Sequence, residues 1–201
     1  MIDNLKLLEL MSARMFHDLA GPVGAVNNSL DFLEEESSSL REKALQIIKS
    51  SSDESILRLK FFRKAYGSIN DKMLDLQSLK STINEFLEKT KIKITWLETD
   101  ILEIDSSIAK IIMNFTIIAA ASIIYGGFLE ISCSNRELKI KFIASNLILS
   151  DETMCILKGE LENITLSSSN IQIYFTHLLI KDINYKIKID KNTSETIFTF
   201  K

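Results

Sequence analysis

The stretch "ARMFHDLAGPVGAVNNSL", residues 13–30, holds His17, one of two histidines, and Pro22, the one proline of the chain. Gly21, Pro22, Gly24 and Asn27 are all weak helix formers. The apolar residues around them still keep helical spacing. Leu8, Met11, Met15, Leu19, Val23, Val26, Leu30 and Leu33 follow one another at steps of three or four, one stripe along a helix over about 4–36. "EEESSSL" at 34–40 reads as a turn, and a second helix follows over about 40–66, ending at Gly67. Two long helices joined by a short turn make an antiparallel hairpin. A lone hairpin buries too little surface to be stable, so the pattern predicts a four-helix bundle formed with a second copy of the chain.

With the stripe turned inward, steps of about 100° per residue place His17 nearly opposite it. Arg14, Gly21, Gly24 and Asn28 are its neighbours at helical spacing. Small residues leave the imidazole bare, open to a visiting macromolecule. An ordinary surface histidine with small neighbours would look the same. The proline weighs against that reading: inside a helix it removes the bond to the carbonyl of Asp18 and crowds it, at a cost of about 3 kcal/mol or more. A helix that carries such a cost beside an exposed histidine is expected to hold a site. Imidazole has a lone pair near neutral pH and is a competent covalent nucleophile. Asp18, one residue on, flanks the ring, and is expected either to orient a ring N–H or to take its proton.

Histidine, an acidic residue, then proline five after the histidine resembles the phosphoacceptor box of two-component histidine kinases. The longer stretch from Ala13 to Leu30, with "RLKFFRKAYG" at 58–67, resembles more narrowly the ChpT-type histidine phosphotransferases of alphaproteobacteria. That resemblance implies an α+β chain. Residues 1–68 would be the dimerisation and histidine phosphotransfer hairpin, and 69–201 a two-layer α/β sandwich like a degenerate histidine-kinase ATPase domain. It implies a phosphorelay: His17 accepts a phosphoryl group from the receiver domain of a hybrid histidine kinase and passes it to the receiver domains of response regulators. Mg²⁺ would sit on the partner receiver, with no metal or ATP on this chain. Arg14, Arg58, Lys60, Arg63 and Lys64 would steer or clamp an acidic receiver, together with Gly21, Pro22, Gly24 and Asn28 on the docking face; each basic residue taken singly reads more readily as part of a solvated helix face. Phe61 and Phe62 read as packing residues. One departure stands out. Kinases usually carry threonine or asparagine four residues after the histidine to help hydrolyse phosphoryl groups; Gly21 occupies that position here.

Beyond "GSIND" at 67–71, read as a linker, the pattern changes. Helices are expected over 73–88, 105–125, 151–158 and 167–183, the last opened by serine caps. Strands are expected at 91–98, on either side of Asn135-Arg136, and on either side of Lys191-Asn192-Thr193. Interspersed strands and helices predict the sandwich. His177, within "IYFTHLLI", reads as a core histidine. The apolar run 111–129 reads as a helix buried against the sheet, with no flanking basic cluster to favour a membrane.

An ATP-using kinase of this fold needs a second asparagine four residues after Asn114, an Asp-x-Gly-x-Gly loop and a Gly-rich lid. Ile118, "ASNLILSDE" (144–152) and "NITLSSSNIQIYF" (163–175) stand there instead. Isoleucine offers no oxygen to a hard cation. Two alternatives remain open at this point: a kinase with a divergent nucleotide site, and a dimeric scaffold that binds regulators without chemistry. A net charge of −3 gives no general attraction to nucleic acid. Two cysteines and an acidic N-terminal stretch fit a cytoplasmic protein.

Overall fold

The computed structural model describes residues 3–35, 37–67, 71–97, 101–134 and 137–201. The chain forms two compact units, Met1–Lys64 and Ala65–Lys201. The boundary expected at 68/69, most of the "GSIND" linker and the turn residues Asn135-Arg136 lie outside the described residues.

The first unit is a helical hairpin. Helix α1 runs over Asn4–Leu30, with Asp3 as its N-cap accepting from the Lys6 amide, and continues unbroken through Pro22. It stops earlier than the apolar stripe implied, passing into a 3₁₀ turn at Asp31–Leu33. Asp31, Glu34 and Glu35 sit where the helix dipole is negative, which disfavours further turns. Helix α2 spans Ser38–Tyr66, with its last two residues belonging to the second unit.

The α1 stripe is wider than one neighbouring helix can cover. Met11 is buried, and Met15, Leu19, Val26 and Leu33 are half-buried. The other flank, Leu5, Leu8, Phe16, Val23 and Leu30, stays exposed. Helix α2 does the same. Ala44, Phe61 and Phe62 are buried, while Leu45, Ile56 and Leu59 are exposed on another face.

The second unit begins with two short strands, β1 (Met73–Asp75) and β3 (Glu103–Asp105), paired antiparallel with Leu74 opposite Ile104. The expected helix at 73–88 is therefore shorter, α3 (Leu76–Leu87). The reason is repeated: each strand runs into a helix through an aspartate N-cap. Asp75 accepts from the Ser78 amide and Asp105 from the Ser107 amide. Helix α4 (Ser106–Ser122) ends before the glycine pair, because Ile123 already leaves helical geometry.

The main sheet has the order β2-β4-β5-β7-β6, over Ile92–Trp96, Gly127–Cys133, Leu138–Ile143, Glu195–Phe200 and Ile187–Lys191. β2 and β4 are parallel, and the remaining pairs are antiparallel. Alternation sorts its faces. Leu129, Ile131, Leu138, Ile140, Phe142, Phe198 and Phe200 are buried, while Glu130, Lys139, Lys141 and Glu195 point the other way and stay partly or wholly exposed. One covered face and one open face make two layers. Phe115 of α4 meets the rings of Phe142, Phe198 and Phe200 edge-on, with centroids 4.9–6.3 Å apart. Residues 111–122 of the apolar run thus lie in a core helix while its last three begin β4, and among the described residues no helix is long and apolar enough to cross a membrane. Helix α5 (Asp151–Lys158) matches the expected 151–158, whereas α6 (Ile171–Asp182) starts later than its serines suggested. Asn170 Oδ1 accepts from the Ser167 amide at 2.9 Å, so those serines form a turn ahead of the helix.

Candidate functional site

His17 stands on α1 with 83% of its side chain exposed, and Asp18 beside it with 12%. The His17 Nδ1 lies 3.3 Å from Asp18 Oδ1. A carboxylate only accepts, so a hydrogen bond here requires the proton on Nδ1, and a neutral ring then has its lone pair on Nε2, the outer nitrogen. The second carboxylate oxygen, Oδ2, accepts from Arg14 Nε at 2.8 Å. Asp18 thus joins Arg14 to His17, a geometry that suits the first of its two expected roles, orienting a ring N–H.

The surroundings of the ring are open. A Cβ added at Gly21 or Gly24 would meet nothing within 4 Å. Asn28 and Gly21 are exposed, and Gly24 is half-buried. Pro22 sits inside the helix, where it cannot donate to the Asp18 carbonyl. Arg58 of α2 does so instead, with Nη1 at 3.3 Å from that oxygen. Its Nε and Nη2 bind Glu54 Oε1 at 3.0 and 2.8 Å. Arg58, expected on the docking face, is therefore committed within the hairpin. Arg63 is exposed and sits five residues on, about 140° further round the helix. It shares no cluster with Arg58. Lys60 and Lys64 are likewise exposed. The sequence reading missed Glu54; its signal was the i, i+4 spacing to Arg58.

In the second unit His177 is half-buried, with Nδ1 3.1 Å from the Leu157 carbonyl and its ring stacked on Tyr174. This is a packing histidine, as expected. Asn114 is fully buried. Its amide nitrogen donates to the carbonyls of Lys110 and Ala65, and Gln172 Nε2 donates to its side-chain oxygen at 3.3 Å. The segment where a nucleotide lid would stand is tied down by Asn170, whose amide donates to Glu152 at 2.7 Å and to the Thr165 carbonyl at 3.1 Å. Among the described residues no group of three or more His, Cys, Asp or Glu is placed to hold a metal ion. Titration is displaced on the sheet of this unit. Lys139 and Lys201 hold the Glu137 carboxyl below its ordinary range, Lys141 does the same to Glu195, and burial pushes the Cys133 thiol up.

The chain is similar to known proteins over most of its length. The chain is 26% identical to the protein phosphotransferase ChpT of Brucella abortus (strain 2308), across 97% of this chain and 95% of that protein. A solved structure of a bacterial phosphotransferase superposes with a TM-score of 0.88 at 25% identity, covering 100% of this chain and 98% of the other. The histidine kinase ThkA, in its complex with the response regulator TrrA, shares the fold at a TM-score of 0.50 and 15% identity, covering 98% of this chain and 61% of the kinase. The family model of the histidine phosphotransferase C-terminal domain matches residues 76–195, more than half of the chain. The protein whose exposed histidine and buried Asn114 are described above belongs to the histidine phosphotransferase family.

Proposed function

We propose that His17 is the residue through which this phosphotransferase works, receiving the group from one receiver domain and delivering it to another. The carrying observation is the 83% exposed imidazole whose Nδ1 is held by Asp18, leaving Nε2 outward. In the first step Nε2 attacks the phosphorus of a phosphoaspartate on the receiver of a hybrid histidine kinase. The N–P bond forms, the P–O bond to the aspartate breaks, and the electron pair leaves with that carboxylate. The product ring carries a positive charge, balanced by the Asp18 carboxylate at Nδ1–H, so no proton needs to move. In the second step an aspartate of a response regulator's receiver attacks the same phosphorus, and the neutral imidazole returns. Such transfers are accelerated chiefly by positioning and charge stabilisation. Mg²⁺ would be held by the partner's acidic pocket.

Arg14, Gly21, Pro22, Gly24 and Asn28 form the docking face around the ring, with Arg63 on a separate exposed face. The hairpin pairs with a second copy through the flank of Leu5, Leu8, Phe16, Val23 and Leu30, joined by Leu45, Ile56 and Leu59. Large apolar residues at helical spacing on an open face support this. No nucleotide takes part: Asn114 and Asn170 spend their amides inside the fold. The setting is cytoplasmic, in keeping with free Cys133 and Cys155.

The test mixes the purified chain with a phosphorylated receiver and follows label. Label is expected on wild type, acid-labile and absent from His17→Ala. Unlabelled wild type, or label retained in His17→Ala, overturns the reading. Label acquired from ATP alone would instead favour the kinase.

A further inference from the structure

Helix α1 carries an unmet carbonyl of its own making. Pro22 has no N–H to give the oxygen of Asp18, four residues earlier. An Arg58 guanidinium N–H from the other helix of the hairpin takes its place at 3.3 Å. That arginine is fixed in turn by Glu54, one turn earlier on α2. The Asp18 side chain is gripped separately, by Arg14 at 2.8 Å, and faces His17 Nδ1. One residue is thus held at both ends, its backbone by α2 and its carboxylate by α1.

We propose that Arg58 is a positioning residue: a strut across the hairpin that replaces the helix bond removed by Pro22 and, through Asp18, fixes the tautomer of His17. An ordinary residue at 22 would satisfy the carbonyl along the helix axis, with no reference to α2. The proline makes that bond available to the neighbouring helix. The register of the two helices is thereby written into the turn that carries the imidazole. A slide or rotation of α2 against α1 breaks the bond at Asp18 and loosens the group that orients the ring. The kinetic consequence rests on the reading of His17 as phosphoacceptor; the tautomer claim does not.

The experiment uses the full chain and two readouts. Long-range ¹H–¹⁵N correlation reports the His17 tautomer, and phosphoramidate, a small donor that needs no protein partner, reports Nε2 reactivity. Four variants are compared with wild type: Arg58→Met, Arg58→Lys, Pro22→Ala alone and the pair Pro22→Ala with Arg58→Met. Pro22→Ala restores the backbone N–H that the Asp18 carbonyl lacks in the wild type. Arg58→Met is expected to raise the minor tautomer several-fold and to slow labelling about tenfold, the scale of one hydrogen bond from a charged group. Arg58→Lys, which keeps the charge and one donor, is expected to recover part of both. In the Pro22→Ala background the Arg58→Met penalty is expected to shrink to less than about threefold, the signature of two groups serving one acceptor. A penalty unchanged by Pro22→Ala overturns the proposal. So does an unaltered tautomer in Arg58→Met, including the case in which only the melting temperature falls. If the tautomer shifts as stated while wild type takes no phosphoryl group from any donor, the strut stands and the phosphotransfer role of His17 falls.

Discussion

The side-chain amide of Asn114 donates to the carbonyl of Ala65 across 3.2 Å, joining α4 to the last turn of α2 inside the second unit. Gln172 then donates to the Asn114 carbonyl and side-chain oxygen, and to Thr176 Oγ1. The network is buried, so each lost partner leaves an unmet group. Asn114→Ala is expected to destabilise the chain by about 1–3 kcal/mol, read from the urea midpoint. The same inward commitment predicts that millimolar Mg-ATP leaves the melting temperature unmoved. A tight nucleotide site would show itself plainly, since ligand at a hundred times its Kd adds about 2.7 kcal/mol.

Asp18→Asn keeps the shape beside His17 but removes the negative charge, and its one remaining acceptor oxygen serves His17 or Arg14 and not both. The rate of transfer at saturating receiver is expected to fall roughly tenfold to a hundredfold, with receiver affinity nearly constant. Rapid-quench measurement of the first-order step separates the two. A loss confined to affinity would place Asp18 on the docking face instead.

Pairs of substitutions on the exposed flank test the bundle. Leu8→Asp with Ile56→Asp places charges among Leu5, Val23 and Leu59, all exposed in a single chain. Each change counts twice in a symmetric dimer, and each buried leucine contributes about 1.5–3 kcal/mol. Light scattering is expected to show the mass of a monomer, while the sheet of the second unit keeps its near-ultraviolet signal.

The ion pairs of the open sheet face set a pH dependence. Glu195 pairs with Lys141 at 2.7 Å, and its carboxyl lies below the usual 4.5 because of that hydrogen bond. Glu137 is lowered in the same way by Lys139 and Lys201. A depressed carboxyl stabilises the fold above its unfolded value, and that contribution disappears as pH falls through the lower folded value. Melting temperature is therefore expected to drop as pH goes below about 4.5, the ordinary value for such a carboxyl. Glu195→Gln is expected to flatten that part of the curve. Both groups lie at the surface and are partly exposed, so the change is small.

The glycines divide by environment. A Cβ on Gly127 would overlap the Ile143 carbonyl oxygen and lie 2.8 Å from Ile123 Cγ2. Gly127→Ala is expected to cost roughly 1–3 kcal/mol through overpacking. Gly21→Ala and Gly24→Ala meet open space. They are expected to stabilise the helix by about 0.5–1 kcal/mol each, yet to slow transfer by filling the docking face. Denaturation and transfer assays on the same preparations check both signs.

Much of this was legible along the chain because local chemistry and tertiary structure agree. Exposure of His17 follows from helical spacing alone. Helix α5 was visible from Asp151 to Lys158, between a Ser150 N-cap and Gly159 in the left-handed region. The strands β4 and β5 were legible because their alternation matches a sheet with one covered face. The short pairing of Met73–Asp75 with Glu103–Asp105 was not, since three residues carry no period of their own. Nor was the parallel match of β2 with β4, which depends on where α4 returns the chain. The bond from Arg58 to α1 was not legible for a related reason. Its charge pointed to a partner, but the oxygen it serves lies forty positions earlier and becomes needy only because of Pro22.

Gly21 leaves the helix blank one turn beyond His17. No side chain there can hold a water molecule in line with a phosphoryl group on Nε2. Spontaneous discharge would then depend on bulk solvent alone, and the high-energy bond would be kept for the next docked carboxylate. Signal would leave this molecule by hand-over, with little leakage on the way.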